Sequence, residues 1–272
     1  MAPTISIVTP SYQQGQFIEQ AIDSVCAQNY PGTEHIVFDG GSSDGTVDIL
    51  RRRHNDLGLW VSERDNGQSH ALNKGFQRAT GEIVGWLNAD DYYTSGTFSK
   101  VARVFSEHPE IDVIYGDYDW VDGHGALITH RKEIPFDLNI LIFVFCYIPT
   151  TTTFFRRRLL NQVHGIDETL RYVMDLDFFI RLAISGARFY HLAETLAAFR
   201  WHGESKSQAQ TDLQWKEWRE ILSRKRYPSL SIPNNNVLFY SRRLIHRTRR
   251  VMKKFQVGAY DLPRTLFFKR PY

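Results

Sequence analysis

With 272 residues, 42% of them hydrophobic and 14% aromatic, the chain has apolar material for one large α/β domain or two small ones, which excludes general disorder. Two distant cysteines, Cys26 and Cys146, form no CxxC pair and no HExxH occurs, so a disulfide framework and a zinc site are both excluded. The formal charge of +3 is uneven: residues 237–255 carry seven Lys/Arg and no acid, which leaves 26 basic against 30 acidic residues elsewhere.

Along the chain, strand-like TISIVT (4–9) precedes FIEQAIDSVCAQ (17–28), whose apolar residues recur near the helical period. HIVFD (35–39), TVDILRRRH (46–54), LWVSE (59–63), HALNKGFQRA (70–79) and EIVGWLN (82–88) continue the alternation. Such a βαβ series predicts a mainly parallel sheet, whose ligands bind at the carboxyl ends of the strands. Residues 10–12, 39–41, 64–67 and 88–91 are therefore where chemistry is expected.

Beyond residue 110 the alternation fades. IDVIYGD (111–117), a hairpin through VDGHG (121–125), TTTFFR (151–156), a helix DLDFFIRLAIS (175–185) and the strand pair ARFYHL and TLAAFRW read as an α+β half against the first. From Ser205 the pattern is helical, and SLSIPNNN (229–236) reads as a linker. The expected division is 1–110, 111–228 and a basic tail over 229–272. The longest apolar run, ILIFVFCYI (140–148), is far shorter than the roughly 20 residues of a spanning helix and is expected to be buried or interfacial. MAPTISIVTPSY lacks the pattern of a secretory signal, so a cytoplasmic location is expected.

The stretch WLNADDYY (86–93) ends an apolar run in two adjacent carboxylates, Asp90 and Asp91, which repel each other and are costly to bury unpaired. A carboxylate pair at a strand end suits a hard cation such as Mg²⁺ or Mn²⁺; capping of the next helix is the plainer alternative. Asp39 ends another strand and enters GGSSDGT, which is neither a Walker loop nor a dinucleotide fingerprint, so it can accept from a base N–H or a ribose hydroxyl.

Four ordered blocks, SIVTPSYQQGQFIEQAIDSV, FDGGSSDGT, SERDNGQSHALNKGF and ATGEIVGWLNADDYY, resemble the family-two glycosyltransferases, with further matches as far as residue 207. The resemblance implies a GT-A α/β fold and inverting transfer from a nucleotide diphosphate sugar, a UDP-sugar first, to a hydroxyl of a glycan or lipid-linked acceptor. It assigns Thr9, Pro10, Tyr12 and Asp39 to the nucleoside, and Asn88, Asp90 and Asp91 to the ribose and metal. Asn88 is an amide where the family's motif begins with an acid. Arg64, Gly67 and Lys74 join the donor site, the two cations offsetting phosphate charge unless they are merely solvated. Asp175, in Met174-Asp175-Leu176-Asp177, matches the general base, although Met174 replaces the usual preceding Glu; a helix cap is the plainer reading. Asp177 is expected to support the site or touch the acceptor. His202, in RWHGESKS, matches a residue that approaches the diphosphate or completes the metal shell, and is otherwise structural.

Two rival functions remain at this level. GQSHA (67–71) falls one residue short of a serine-hydrolase elbow around Ser69. A non-catalytic nucleotide-sugar or carbohydrate-binding module would not require Asp175. The basic tail permits nucleic-acid binding, but no such motif accompanies it and no nucleic-acid partner is expected. A helix over 237–255 groups Tyr240, Leu244, Val251 and Phe255 beside Leu238, Ile245 and Met252, which suits an anionic membrane surface and a peripheral location at its inner face. The alternative is that this stripe packs on the catalytic domain.

Overall fold

Ile5, Ile7 and Val8 are fully buried, as is every residue of β1 (Ile5–Ser11), so this strand belongs at the centre of a sheet covered on both faces. In the computed structural model, which describes residues 2–202, 211–223, 227–233 and 235–259, that is its place. β1 pairs in parallel with β2 (Thr33–Asp39) on one side and β4 (Ile83–Trp86) on the other, and β3 (Leu59–Ser62) adds in parallel to β2. The crossovers carry α1 (Ile18–Cys26), α2 (Thr46–Arg52) and α3 (Gln68–Arg78). Gly75 lets α3 lie close on the sheet, since a Cβ there would collide with the Val8 side chain.

Past β4 the sheet changes direction. β8 (Phe154–Arg156) is antiparallel to both β4 and β6 (Val113–Asp122); β6 runs parallel to β9 (Phe189–Trp201), and β9 pairs antiparallel with the short β5 (Tyr92–Tyr93). β7 (Leu127–Arg131) forms the expected hairpin with β6, turning at residues 122–126. The order is β3-β2-β1-β4-β8-β6-β9-β5, with β7 on β6.

Two sequence expectations change here. ARFYHL and TLAAFRW belong to one strand, β9, and a register shift opposite Gly116–Asp117 accounts for its broken pattern. TTTFFR is a strand only from Phe154, because Thr150–Thr152 form a 3₁₀ turn in which the Thr152 hydroxyl donates to the Gly116 carbonyl (3.0 Å).

One face of the sheet is covered by α1 and α4 (Thr97–Glu107), with Val25, Phe98, Val101 and Phe105 against Ile5, Ile7 and Phe154. The other carries α3, α5 (Leu138–Phe143), α6 (Arg158–Val163) and α7 (Met174–Ile184), then α8 (Thr211–Ser223) and α9 (Asn236–Gln256). A continuous cluster joins Val8 and Trp86 to Tyr115, Phe178, Trp218 and Phe239. The boundaries at 110 and 229 thus mark changes of pattern within one shared core. Most of ILIFVFCYI is buried in it, with Phe145 exposed. No described helix is long and apolar enough to cross a membrane.

Candidate active site

The acids at the carboxyl end of β4 are held differently. Asp91 is buried: its Oδ2 accepts from Thr151 Oγ1 (2.5 Å) and Asn88 Nδ2 (3.2 Å), and its Oδ1 from the Arg200 backbone N–H (2.9 Å). Burial, and then the neighbouring Asp90 charge, push its carboxyl up to about 8 against the pull of these donors. Asp90 is more open and meets His202, Oδ2 to Nε2 at 3.0 Å, with the imidazole ring 4.8 Å from the Phe17 ring. Neither acid caps a helix, because three residues separate β5 from α4 and Gly96 is the N-cap of α4.

Asn88 explains its own departure from an acid. Its carbonyl oxygen accepts from Trp86 Nε1 (2.9 Å) and Gln68 Nε2 (3.0 Å), while its amide donates to Asp91. A carboxylate here could not donate and would add another acid beside Asp90 and Asp91.

Arg200, quoted only as part of a motif in the sequence, is buried beside these acids. Its side chain donates to the Asp90 carbonyl (2.9 Å), the Gly123 carbonyl (3.0 Å) and Gln20 Oε1, and lies over the rings of Phe17 and Tyr92. It fastens the 88–91 turn to α1 and to the β6–β7 hairpin. Its sequence signal was adjacency to His202.

Asp39, also buried, accepts from the backbone N–H of Gly41 (3.1 Å) and Ser42 (2.8 Å) and from the hydroxyls of Ser42 (2.5 Å) and Ser62 (2.6 Å). It braces the glycine turn and joins β2 to β3. Thr9 Oγ1 lies 2.9 Å from His35 Nε2 under the sheet, and Pro10 is likewise buried, whereas Tyr12 is exposed at the rim. Arg64 is exposed. Lys74 pairs with Glu63 and lies over the Phe38 ring. Gly67 has φ +107°, a conformation glycine adopts without strain, and turns the chain into α3 while its N–H is held by Asp65 (2.7 Å).

The first two residues of α3 reach in different directions. Gln68 holds Asn88, while the buried Ser69 hydroxyl donates to the Leu170 carbonyl (3.2 Å) and meets Met174 Sδ (2.8 Å). Ser69 is thereby spent on packing, and β3 ends at Ser62, too far upstream to build a nucleophile elbow. The same pair links the β4 acids to the start of α7, where Asp175 is partly exposed. Burial raises the Asp175 carboxyl above its ordinary value, opposed by the Leu176 N–H (2.8 Å) and by the nearby Cys146 thiol. Val173, not Asp175, occupies the N-cap. Asp177 is fully buried between Arg181 (2.7 Å) and the Tyr227 hydroxyl (2.6 Å), which makes it a support and removes the expected acceptor contact.

The strongest brace near Asp175 had no sequence signal. Glu217 on α8 accepts from three successive backbone N–H groups, those of Arg171 (2.9 Å), Tyr172 (2.7 Å) and Val173 (2.9 Å), and so fixes the entry to α7. Glu217→Gln replaces one accepting oxygen by a donor that faces another donor. Turnover is expected to fall about tenfold, the scale of one net hydrogen bond of about 1.4 kcal/mol, with donor KM unchanged in steady-state kinetics.

Among the described residues no three His, Cys, Asp or Glu side chains converge to form an all-protein metal cage. Asp90 and His202 nevertheless fit a cation that keeps waters and takes substrate phosphates, for which one or two protein donors suffice. The residues after His202, to 210, lie outside the description, as do 260–272 of the tail.

A mainly parallel, doubly covered sheet with acids gathered where its direction changes is the framework of a nucleotide-binding α/β protein. The chain belongs to glycosyl transferase family 2, whose family model matches residues 6–168. It is 29% identical over 210 residues to an uncharacterized glycosyltransferase of Nostoc sp., a match covering 73% of this chain and 65% of the relative. It spans less than two thirds of that relative's length. The fold is that of GT-A glycosyltransferases: S. aureus TarS 1–349 in complex with UDP-GlcNAc superposes with TM-score 0.67 at 22% identity, covering 93% of this chain and 73% of that one. The mannosyltransferase PcManGT from Pyrobaculum calidifontis, in complex with GDP-Man and Mn²⁺, gives 0.57 at 21% identity, covering 96% and 65%.

Proposed function

We propose that the chain transfers a sugar from a nucleoside diphosphate sugar, a UDP-sugar first, to a hydroxyl of a glycan or lipid-linked acceptor, with inversion. The observation that carries this reading is the contact series from Asp91 through Asn88 to Gln68, and from the next residue, Ser69, to Met174 beside Asp175, which ties the acidic turn after β4 to the start of α7. The nucleotide sugars bound by TarS and PcManGT support it.

Asp90 and His202 would hold Mn²⁺ or Mg²⁺, which when bound offsets charge on the departing diphosphate. The turn braced by Asp39, with Thr9, Pro10 and Tyr12 beside it, takes the nucleoside. Asp175 accepts the acceptor's proton as its oxygen bonds to the anomeric carbon and the bond from that carbon to the diphosphate oxygen breaks. Met174, wedged against Ser69, keeps the carboxylate at the cleft, and the Gln68–Asn88 bond keeps donor and base in register.

A panel of sugar nucleotides with and without Mn²⁺ tests the donor assignment by thermal shift. A UDP-sugar is expected to raise the unfolding temperature only when Mn²⁺ is present. At a free concentration 100-fold above Kd the stabilisation is about 2.7 kcal/mol. A panel without any shift would remove the donor assignment.

A further inference from the structure

α9 is amphipathic in an unusual sense: its charged side is turned toward the protein. Phe239, Arg243, His246, Arg250 and Lys254 follow one another at helical spacing on the inward face. Phe239 is fully buried against Phe143 and Trp218, and His246 stacks on Phe143 at 5.3 Å. Arg243 lies over Trp215 (4.0 Å) and Arg250 over Phe145 (4.4 Å). Lys254 pairs with Glu133 (2.9 Å), and Lys253 and Arg249 pair with Asp137 (2.8 and 3.0 Å). The helix is thus latched by two acids that follow β7.

The outward face is mostly apolar, and the Ser241 and Thr248 hydroxyls on it donate back to the Val237 and Leu244 carbonyls of the helix. Leu238, Leu244, Ile245, Val251 and Met252 all point to solvent, with Leu244, Ile245 and Met252 67%, 63% and 61% exposed. Exposed Arg242 and Arg249 border this face on one side and Arg247 on the other. Packing of the stripe on the catalytic domain, one of the two sequence readings, is therefore not what the fold does. The outward display is stable only against something apolar in its middle and negative at its margins. A second copy of this chain would set arginine against arginine.

We propose that α9 lies in the plane of an anionic lipid bilayer, its Leu244–Ile245–Met252 face in the acyl boundary and Arg242 and Arg247 at the headgroups. Two arginines, rather than all seven basic residues of the segment, meet the lipid, because Arg249 and Lys253 pair with Asp137 and the other three are turned toward the protein. On its inner side α9 rests on the segment after α5, through Arg250 over the Phe145 ring.

Deleting the tail would strip Phe239 from the core and unpair Glu133 and Asp137, so the test uses outward-facing changes in the full chain. In sedimentation with vesicles of phosphatidylcholine alone or with one third phosphatidylglycerol, without donor or acceptor, the wild type is expected to pellet only with the anionic vesicles. Raising the salt should release it. Leu244→Ser with Ile245→Ser and Met252→Ser is expected to abolish pelleting with an unchanged unfolding temperature. Arg242→Gln is expected to weaken partition about fivefold, the share of one basic residue near an anionic leaflet. Equal pelleting of wild type and triple variant, or a stable dimer that the triple variant dissociates and that ignores vesicles, would overturn the proposal. Because no sugar nucleotide is present, either result leaves the transferase reading to its own assay.

Discussion

Asp175→Asn is expected to lower turnover by ~10²–10⁴-fold, the usual loss when base catalysis is removed, with donor binding unchanged. The substitution is nearly isosteric. The amide oxygen can still accept from the Leu176 N–H, and the Glu217 clamp on residues 171–173 does not involve the Asp175 side chain. Only the basic oxygen is lost, so the effect should fall on kcat. The pH profile gives a second reading. Burial disfavours the ionised carboxyl and raises its pKa, so the base form is lost, as pH falls, earlier than for an ordinary carboxylate. Wild-type kcat should therefore begin to decline on the acid side at a higher pH than an unshifted aspartate would give. The Asn variant should lack that limb. Wild-type turnover in Asp175→Asn would mean that another group is the base.

The parallel half of the fold was legible because β1 and β4 are buried throughout, β2 is buried over its last five residues, and each crossover shows helical periodicity. β1, β2 and β4 fall within two residues of their expected ends for this reason. β9 was harder, since Gly116 and Asp117 on its neighbour break the register and scatter the apolar alternation across two apparent strands. In the site, residue types showed which groups carry charge, and the fold decided which of them are spent. Asp90 and Asp91 are indistinguishable as a pair of letters; Thr151, 60 residues away, and the Arg200 N–H, 109 away, separate them. Glu217 reads as an ordinary acid on a helix, and its three backbone partners come from a loop more than 40 residues upstream. The tail shows the same limit. Its periodicity exposed an apolar stripe and a basic stripe, but only Glu133 and Asp137 tell which stripe faces the protein.

Excess chelator is expected to abolish transfer together with tight nucleotide binding, and Asp90→Ala is expected to reproduce that loss. The two aspartates should then separate. Asp90 is the more open and faces His202, so its removal takes away a donor oxygen and leaves the turn standing; calorimetric titration with Mn²⁺ should show the affinity gone and the unfolding temperature kept. Asp91→Ala removes the acceptor for Thr151, Asn88 and the Arg200 backbone N–H in a buried setting. Each donor left unsatisfied there costs about 1–3 kcal/mol, enough to lower the unfolding temperature by several degrees before any effect on the metal is read. Loss of Mn²⁺ binding in Asp90→Ala without destabilisation, beside destabilisation in Asp91→Ala, assigns coordination to the first acid and support to the second. Full transfer in excess chelator would remove the cation from the mechanism. Asp90 and His202 would then remain as a hydrogen-bonded pair that closes the end of β4 against α1.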